Sequence, residues 1–164
     1  MSSDDLLQSR IVELLPRLRR FARALTRNPH DADDLVQLGL ERALTHLEQW
    51  RPDTRLDSWL YGILKNAWID ELRARGRRSR IFDHVTPTDS IPDPGGDASG
   101  TLSVEQALEQ LPEEQRLAVA LVLIEGLPYK EAAQIIGVPM GTLTSRLARG
   151  REALQELLEP GDAA

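Results

Sequence analysis

Residues 127–154 carry the pattern that most restricts what this chain can fold into. They predict a short amphipathic helix with the apolar run A-A-Q-I-I at 132–136, then a tight turn and a longer second helix. Gly137 ends the first helix, because glycine readily adopts the left-handed conformation that a helix end needs. Pro139 suits the start of the second helix, since it lacks the amide hydrogen required inside one.

The second helix has two chemically different faces. Leu143, Leu147 and Leu154 recur at helical spacing on one side. The other side is small, hydroxylic and basic, with Thr142, Thr144, Ser145, Arg146, Ala148 and Arg149. Small residues let a helix approach DNA closely, hydroxyls and arginines bond phosphates, and arginine can read guanine edges. The stretch is interpreted as a helix-turn-helix whose recognition helix begins near Met140, the alternative being a helical hairpin with a solvated basic face.

Composition indicates a globular protein and excludes several kinds of site. The 164 residues suffice for one ordinary domain or two small ones, with 41% hydrophobic and 28% charged residues. The absence of cysteine excludes disulfides and thiolate sites. The chain has no long apolar run, and its acidic start M-S-S-D-D-L-L is unlike a signal peptide. We therefore expect no membrane insertion and a cytoplasmic location.

Charge is distributed unevenly. The net charge is −6, yet positive residues concentrate at 73–80 and 146–151 and negative ones at 31–34 and 105–114. A protein that is locally basic and globally acidic binds DNA weakly alone, or binds it with help from another component.

Helical periodicity continues through the N-terminal part. Helices are expected over residues 4–27, 31–47 and 55–75. Pro16 should kink the first or begin a second segment, and Asp31 is the expected cap of the second. The third helix is apolar over a wide arc and should be central to its domain, with Asn66 and Arg73 sharing its remaining side.

Residues 77–101 predict a flexible linker, because Pro, Gly, Asp and Ser dominate them. A linker of this length spans roughly 25–30 Å, so two modules could occupy distant points on one partner. Beyond it, Ser103 should cap a helix and Pro112 should begin another. The predicted fold class is all-α, with helical domains at 4–76 and 102–159 joined by this linker.

No catalytic residue, metal site or cofactor is predicted. The histidines are isolated in sequence, and no H-E-x-x-H, G-x-S-x-G or phosphate-binding glycine loop occurs. Asp31, Asp33 and Asp34 could suggest a metal or phosphoryl-acceptor site. Helix capping and an acidic surface explain them more simply, because the Lys, Ser/Thr and strand context of such a site is missing.

Several motifs resemble one family in order and spacing. They are D-A-D-D-L-V-Q at 31–37, S-W-L-Y-G-I-L-K-N-A-W-I-D-E-L-R at 58–73, L-P-E-E-Q-R at 111–116 and the turn described above. Residues 10–76 and 103–158 resemble regions two and four of the extracytoplasmic-function sigma factors, small sigma subunits of bacterial RNA polymerase. The resemblance implies a three-helix-type region-two bundle, a region-four helix-turn-helix and a promoter-specificity subunit that is not an enzyme.

The resemblance also implies partners and contact residues. The partners would be core RNA polymerase, promoter DNA and an anti-sigma protein. The polymerase-binding helix would present Asp34, Leu35, Gln37 and Glu41. Asn66, beside the loop at 51–55, would capture a flipped base at the minus-ten element, where stacking contributes roughly 1–3 kcal/mol per base. Phosphates at the duplex edge would meet Arg73, Arg75, Arg77 and Arg78. At the minus-thirty-five element the base-facing residues would be Thr144, Ser145, Ala148 and Arg149, with Thr142 and Arg146 nearer phosphates.

The chain departs from the family pattern in a stretch of three residues and at one further position. Leu38-Gly39-Leu40 follow Gln37 where an acid and an aromatic are common, which predicts altered polymerase contact. Thr144 stands where a basic residue is common, which predicts lower affinity or a different preference at the minus-thirty-five element.

Two other functions compete with this interpretation. A plain helix-turn-helix regulator would explain the C-terminal half but would give Asn66 no role. A sigma mimic that sequesters an anti-sigma protein would not need Ser145, Arg149 and the arginines at 73–78.

Overall fold

The computed structural model describes the backbone of residues 2–81 and 102–159, and the side chains of 2–76 and 102–159. Throughout these residues the secondary structure is helical, without strands, as predicted. The N-terminal half comprises α1 (Ser3–Leu25), α2 (Pro29–Thr45), a 3₁₀ turn (Leu47–Gln49) and α3 (Leu56–Ile81). The C-terminal half comprises α4 (Val104–Glu109), α5 (Glu113–Val119) with a π-helical turn (Ala120–Ile124), α6 (Tyr129–Ile136) and α7 (Met140–Leu158). Most of the predicted linker, residues 82–101, lies outside the described residues.

Helix α1 runs through Pro16 without interruption. No second helix begins there, so that alternative of the prediction is wrong, while the kink stays a prediction. Proline removes the amide that the carbonyl of Val12 would accept from. Both Val12 and Pro16 are exposed, so water can reach the carbonyl that is left over.

The cap of α2 differs from the prediction. Asn28, not Asp31, is the N-cap, and its side-chain oxygen accepts from the amide of Asp31 at 2.7 Å. Pro29 then occupies the first turn, where its fixed backbone angle is already helical. The Asp31 carboxylate lies 3.3 Å from the Arg75 guanidinium and links the start of α2 to α3.

Helix α3 is the centre of the N-terminal half, as its wide apolar arc predicts. Leu60, Tyr61, Leu64 and Ala67 are fully buried against α1 and α2. The ring of Tyr61 meets that of Phe21 edge to face, with centroids 5.0 Å apart. The outer side of the helix is left for polar residues.

Gly39 of α2 packs closely against Leu64 of α3. A Cβ atom built on Gly39 would lie 2.5 Å from Leu64 Cδ1 and 3.0 Å from Leu64 Cγ. The cost of a glycine inside a helix is therefore offset by close packing between two helices.

The first helices of the C-terminal half are joined by one buried side chain. Ser103 and Gln106 form a capping box at α4, while Pro112 is the N-cap of α5 rather than its first residue. Arg116 is buried and donates at 2.8 to 3.1 Å to the carbonyls of Leu25, Leu108, Glu109 and Leu111. The last residue of the L-P-E-E-Q-R motif thus ties the end of α4 to the end of α1.

Helices α6 and α7 form the predicted helix-turn-helix. Gly137 ends α6 with φ 83°, and Pro139 precedes the first residue of α7, Met140. Leu143 and Leu147 are buried. Their burial directs the opposite face of α7 to solvent.

The entry to α3 is held by a buried carboxylate. Asp57 accepts from Arg17 at 3.0 Å, from Arg55 at 2.8 and 3.1 Å, and from the amide of Ser58 at 2.8 Å. Burial by itself raises the pKa of Asp57. The bonds from Arg55, Ser58 and Arg17 outweigh this, and the net pKa is lower than for an ordinary aspartate.

Substituting Gly39→Ala should lower the free energy of unfolding by about 1–2 kcal/mol, because Leu64 or α2 must shift. Gly62→Ala in α3 is the matched control: its Cβ would meet nothing within 4 Å, so up to about 1 kcal/mol of stabilisation is expected. Urea unfolding measures both. A Gly39→Ala variant as stable as the native chain would contradict the close contact.

Substituting Asp57→Asn should lower the free energy of unfolding by about 1–2 kcal/mol at neutral pH. Because the folded pKa is depressed, this contribution is present above the unfolded pKa and is lost as pH falls through the folded value. The difference in unfolding free energy between the native chain and the variant should therefore shrink as pH falls below about 4, the pKa of an unfolded aspartate. Asp53→Asn, at an exposed position in the loop that precedes α3, serves as control. A difference that did not change with pH would contradict the assignment.

Candidate nucleic-acid and protein interfaces

The exposed face of α7 displays most of the predicted duplex-reading residues. Thr144, Ser145, Ala148 and Arg149 are exposed, and Thr142 and Arg146 are partly buried. The Thr144 hydroxyl donates to the Met140 carbonyl at 2.8 Å, so it lies along the helix. Arg146 Nε is 3.8 Å from the Glu114 carboxylate on α5. Arg149 forms no ion pair with any described residue.

A polar groove of about 660 Å³ runs along the outer side of α3. Asn66 lines it, together with Arg55 and Thr54 from the preceding loop and Lys65 beside it on α3. Partial burial lowers the pKa of Lys65. The sequence predicted the association of Asn66 with this loop but missed Lys65, whose position next to Asn66 was the available signal.

The predicted phosphate-contacting arginines have different surroundings. Arg73 is exposed, on the same side of α3 as Asn66. Arg75 is paired within the molecule, 3.3 Å from Asp31 and 3.2 Å from Glu71. The side chains of Arg77 and Arg78 lie outside the described residues.

One face of α2 presents the predicted polymerase-binding residues. Asp34, Gln37 and Glu41 are exposed and lie at helical spacing. Leu35 is only 6% exposed and packs into the core of the N-terminal half. Leu38 is 37% exposed and shares the face of the three polar residues. Two apolar residues are therefore available to a partner on this face: Leu38, one of the departures from the family pattern, and Leu44, which is 48% exposed at helical spacing from Gln37 and Glu41.

The C-terminal half also reaches the groove. Glu131, Gln134 and Ile135 of α6 form part of its wall. The Glu131 carboxylate is 3.0 Å from Arg55 and accepts from the Ser58 hydroxyl at 3.0 Å. Nothing in the sequence predicted this contact, because the residues lie in separate modules.

Metal-site and membrane-span features are absent from residues 2–81 and 102–159, the described part of the chain. No group of three or more His, Cys, Asp or Glu residues there is arranged to hold a metal ion. None of the helices there is both long and apolar enough to cross a membrane.

Comparisons with known proteins divide the chain as its motifs do. Residues 11–78 match the family model described as Sigma-70 region 2. Residues 101–154 match the model described as Sigma-70, region 4. The first match contains α2, most of α3 and the α3 side of the groove, and the second contains the helix-turn-helix with the groove residues of α6.

A curated relative covers almost the whole length. The chain is 38% identical over 161 residues to an ECF RNA polymerase sigma factor EcfG of Rhodopseudomonas palustris (strain TIE-1). The aligned region covers 96% of this chain and 88% of the relative. Both halves and the segment between them are therefore matched together.

Solved structures share the fold. A chain of the complex between the sigma factor RpoE and the anti-sigma factor NepR of Bartonella quintana superposes with a TM-score of 0.80 and 34% identity, covering 94% of this chain and 97% of that one. A chain of the complex between the anti-anti-sigma factor PhyR and NepR of the same organism gives a TM-score of 0.58 at 21% identity, over 92% of this chain and 49% of that one. The second likeness concerns the fold alone.

The family matches, the length of the curated similarity and the arrangement of the helices agree with one another. The chain belongs to the extracytoplasmic-function sigma factors of RNA polymerase, which are transcription initiation factors and not enzymes.

Proposed function

We propose that this sigma factor recognises promoters through two separate surfaces, duplex minus-thirty-five DNA through α7 and a melted minus-ten strand through the groove of α3. The observation that supports this most directly is the face of α7. Buried Leu143 and Leu147 hold the helix on the domain, while Ser145, Ala148 and Arg149 remain exposed, and the first two are small enough to let the helix backbone approach DNA. A helix with such a face can lie deep in a major groove.

The groove of α3 suits a single strand better than a duplex. Asn66 offers an amide that can bond the edge of an extruded base, and Arg55 and Lys65 supply positive charge along the same groove. Arg73 lies further along α3 and would meet the phosphates at the edge of the bubble, together with Arg77 and Arg78. Arg75 would first have to leave Asp31 and Glu71.

Core polymerase would bind the exposed face of α2. Asp34, Gln37 and Glu41 provide polar contacts, and Leu38 provides an apolar contact among them. In this proposal Leu35 supports the face from below, since its side chain is buried. The net charge of −6 leaves isolated protein with weak attraction for DNA, so binding to polymerase is needed for promoter affinity.

An anti-sigma protein completes the proposal. The Bartonella quintana sigma factor that this chain resembles at 34% identity is bound to an anti-sigma factor in its structure. By analogy this chain is held inactive by such a protein until a stress or other signal releases it. Its place of action would be the cytoplasm, where polymerase and promoters meet.

In vitro transcription tests the function directly. Purified bacterial core polymerase is given a library of upstream sequences, with and without this chain. We expect promoter-specific transcripts only when the chain is present, with two sequence elements enriched among the productive templates. DNA binding without transcription would indicate an ordinary regulator, and neither activity would indicate a sigma mimic.

Substituting Arg149→Ala should weaken recognition of the minus-thirty-five element by about 1–3 kcal/mol and relax the preference at one base pair, if Arg149 bonds a guanine in bidentate fashion. Binding of the holoenzyme to duplexes that vary at each position of that element measures the effect. Arg149→Lys separates charge from geometry, because lysine keeps the charge but lacks the planar fork.

Arg23→Ala is the charge-matched control for Arg149→Ala, since Arg23 is exposed and lies on α1 rather than on α7. It should change affinity little and base preference not at all. An unchanged base preference in Arg149→Ala would remove Arg149 from the reading set.

A further inference from the structure

Two carboxylates of the C-terminal half contact the N-terminal half, and we name them the interdomain carboxylates: Glu125 and Glu131. The side chain of Glu125, after the π-helical turn, is completely buried. It accepts from Arg20 of α1 at 2.8 and 3.0 Å and from the hydroxyl of Tyr61 of α3 at 2.6 Å. A buried carboxylate with three such donors is well compensated, so this contact fixes where the C-terminal half sits.

Glu131 stands at the groove itself. It lies on α6 and meets Arg55 and Ser58, both at 3.0 Å, on the wall opposite Asn66. A guanidinium and a hydroxyl that converge on one anion are also the donors that proteins direct at phosphate. Arg55 is held in place from its other side by Asp57, so its position is set before any ligand arrives.

A DNA strand in the groove would compete with Glu131. Its phosphates would need the donors that the carboxylate already engages, and the negative charge of Glu131 would repel them. Helix α6 also forms part of the groove wall through Gln134 and Ile135. The same movement of the C-terminal half would therefore free the donors, remove the repelling charge and widen the entrance.

We propose that Arg55 and Ser58 form a phosphate-binding subsite for the minus-ten strand, and that Glu131 occupies this subsite as an autoinhibitory anion while Glu125 anchors the closed arrangement. This inference rests on the proposed role of the groove in minus-ten binding. The groove becomes available when the interdomain carboxylates release their partners and the two halves separate.

The strength of these contacts suits a reversible restraint. Arg55 is 46% exposed at its side chain and Glu131 29%, so water and salt screen their attraction. Arg20 is also about half exposed, and only its partner Glu125 is buried. A polymerase or nucleic-acid surface that binds the open form better can thus shift the equilibrium without unfolding either half.

Fluorescence energy transfer within the full chain tests whether the carboxylates hold the halves together. Because the chain has no cysteine, Asp33→Cys on α2 and Gln155→Cys on α7, both exposed, accept a dye pair uniquely. We expect lower transfer in Glu131→Gln, Glu125→Gln and Arg20→Gln than in the native chain at low salt. Glu156→Gln, which removes one exposed charge from the far part of α7, should leave transfer unchanged.

Arg20→Gln removes a positive charge, whereas the glutamate variants remove a negative one. All three should lower transfer, so the effect would come from loss of the contact and not from a change in net charge. Added salt should lower transfer in the native chain more than in the variants. Unchanged transfer in all three variants, with each shown to be folded by its helical circular dichroism, would overturn the inference.

Binding of a fluorescein-labelled single-stranded DNA of about 12 nucleotides and mixed sequence tests the subsite, since phosphate contacts do not depend on base identity. Glu131→Gln and Glu125→Gln should bind about two- to fivefold more tightly than the native chain and the Glu156→Gln control, as a larger fraction is competent. Adding Arg55→Gln to Glu131→Gln should abolish the gain. A gain that survives loss of Arg55, or no gain in opened variants, would overturn the inference.

The transcription assay distinguishes failure of the proposed function from failure of the autoinhibitory contact. Promoter-specific transcription together with unchanged transfer and unchanged strand binding in the variants would contradict the autoinhibitory contact alone. Opening and tighter strand binding without any transcription would support the phosphate subsite and contradict the proposed function.

Discussion

Burial of α3 is the constraint on which the N-terminal half depends. A helix that is apolar over so wide an arc has to be covered on several sides, and α1, α2 and α6 all pack against it. Close approach of α2 is possible because Gly39 leaves room for Leu64. With the apolar sides covered, Asn66 and Arg73 are directed to the remaining surface, and α2 turns its polar face outward. One packing requirement therefore positions both the groove and the face of α2 that is proposed to bind polymerase.

In the helix-turn-helix too, burial of one helix face determines which face is exposed. Leu143 and Leu147 are buried beneath α7, so Thr144, Ser145, Ala148 and Arg149 on its other side face solvent. Gly150 lies close to Val119, where a Cβ would come within 2.7 Å of a methyl group, and this brings α7 tightly onto α5. The face of α7 that is proposed to read DNA is thus carried on a closely packed helix, and such preorganisation would lower the entropic cost of recognition.

Acidic residues have two distinct roles in this chain. They lower the general affinity for DNA through the net charge of −6, which favours dependence on polymerase. In the closed arrangement some also engage the cationic groups that DNA would use: Glu131 meets Arg55, and Asp31 and Glu71 meet Arg75. We infer that both effects discourage DNA binding by the free protein. The contact of Glu131 would be relieved when the halves separate and those of Asp31 and Glu71 when Arg75 changes partners, while the net charge would stay the same.

Helical periodicity, caps and turn residues in the sequence determined the all-α class and the positions of the helices. They also determined that α7 starts at Met140 and which of its faces points outward. These features depend on contacts within a few residues of the chain. The cap of α2 was misassigned to Asp31, since Asn28 and Asp31 are both competent caps and only the placement of Pro29 in the first turn selects Asn28. Tertiary structure alone decided that Leu35 is buried while Leu38 is exposed, that Arg75 is paired, and that Glu125 and Glu131 meet the N-terminal half. Those contacts join residues on different helices or in different halves, and no periodicity within one segment encodes the distance between two separate elements.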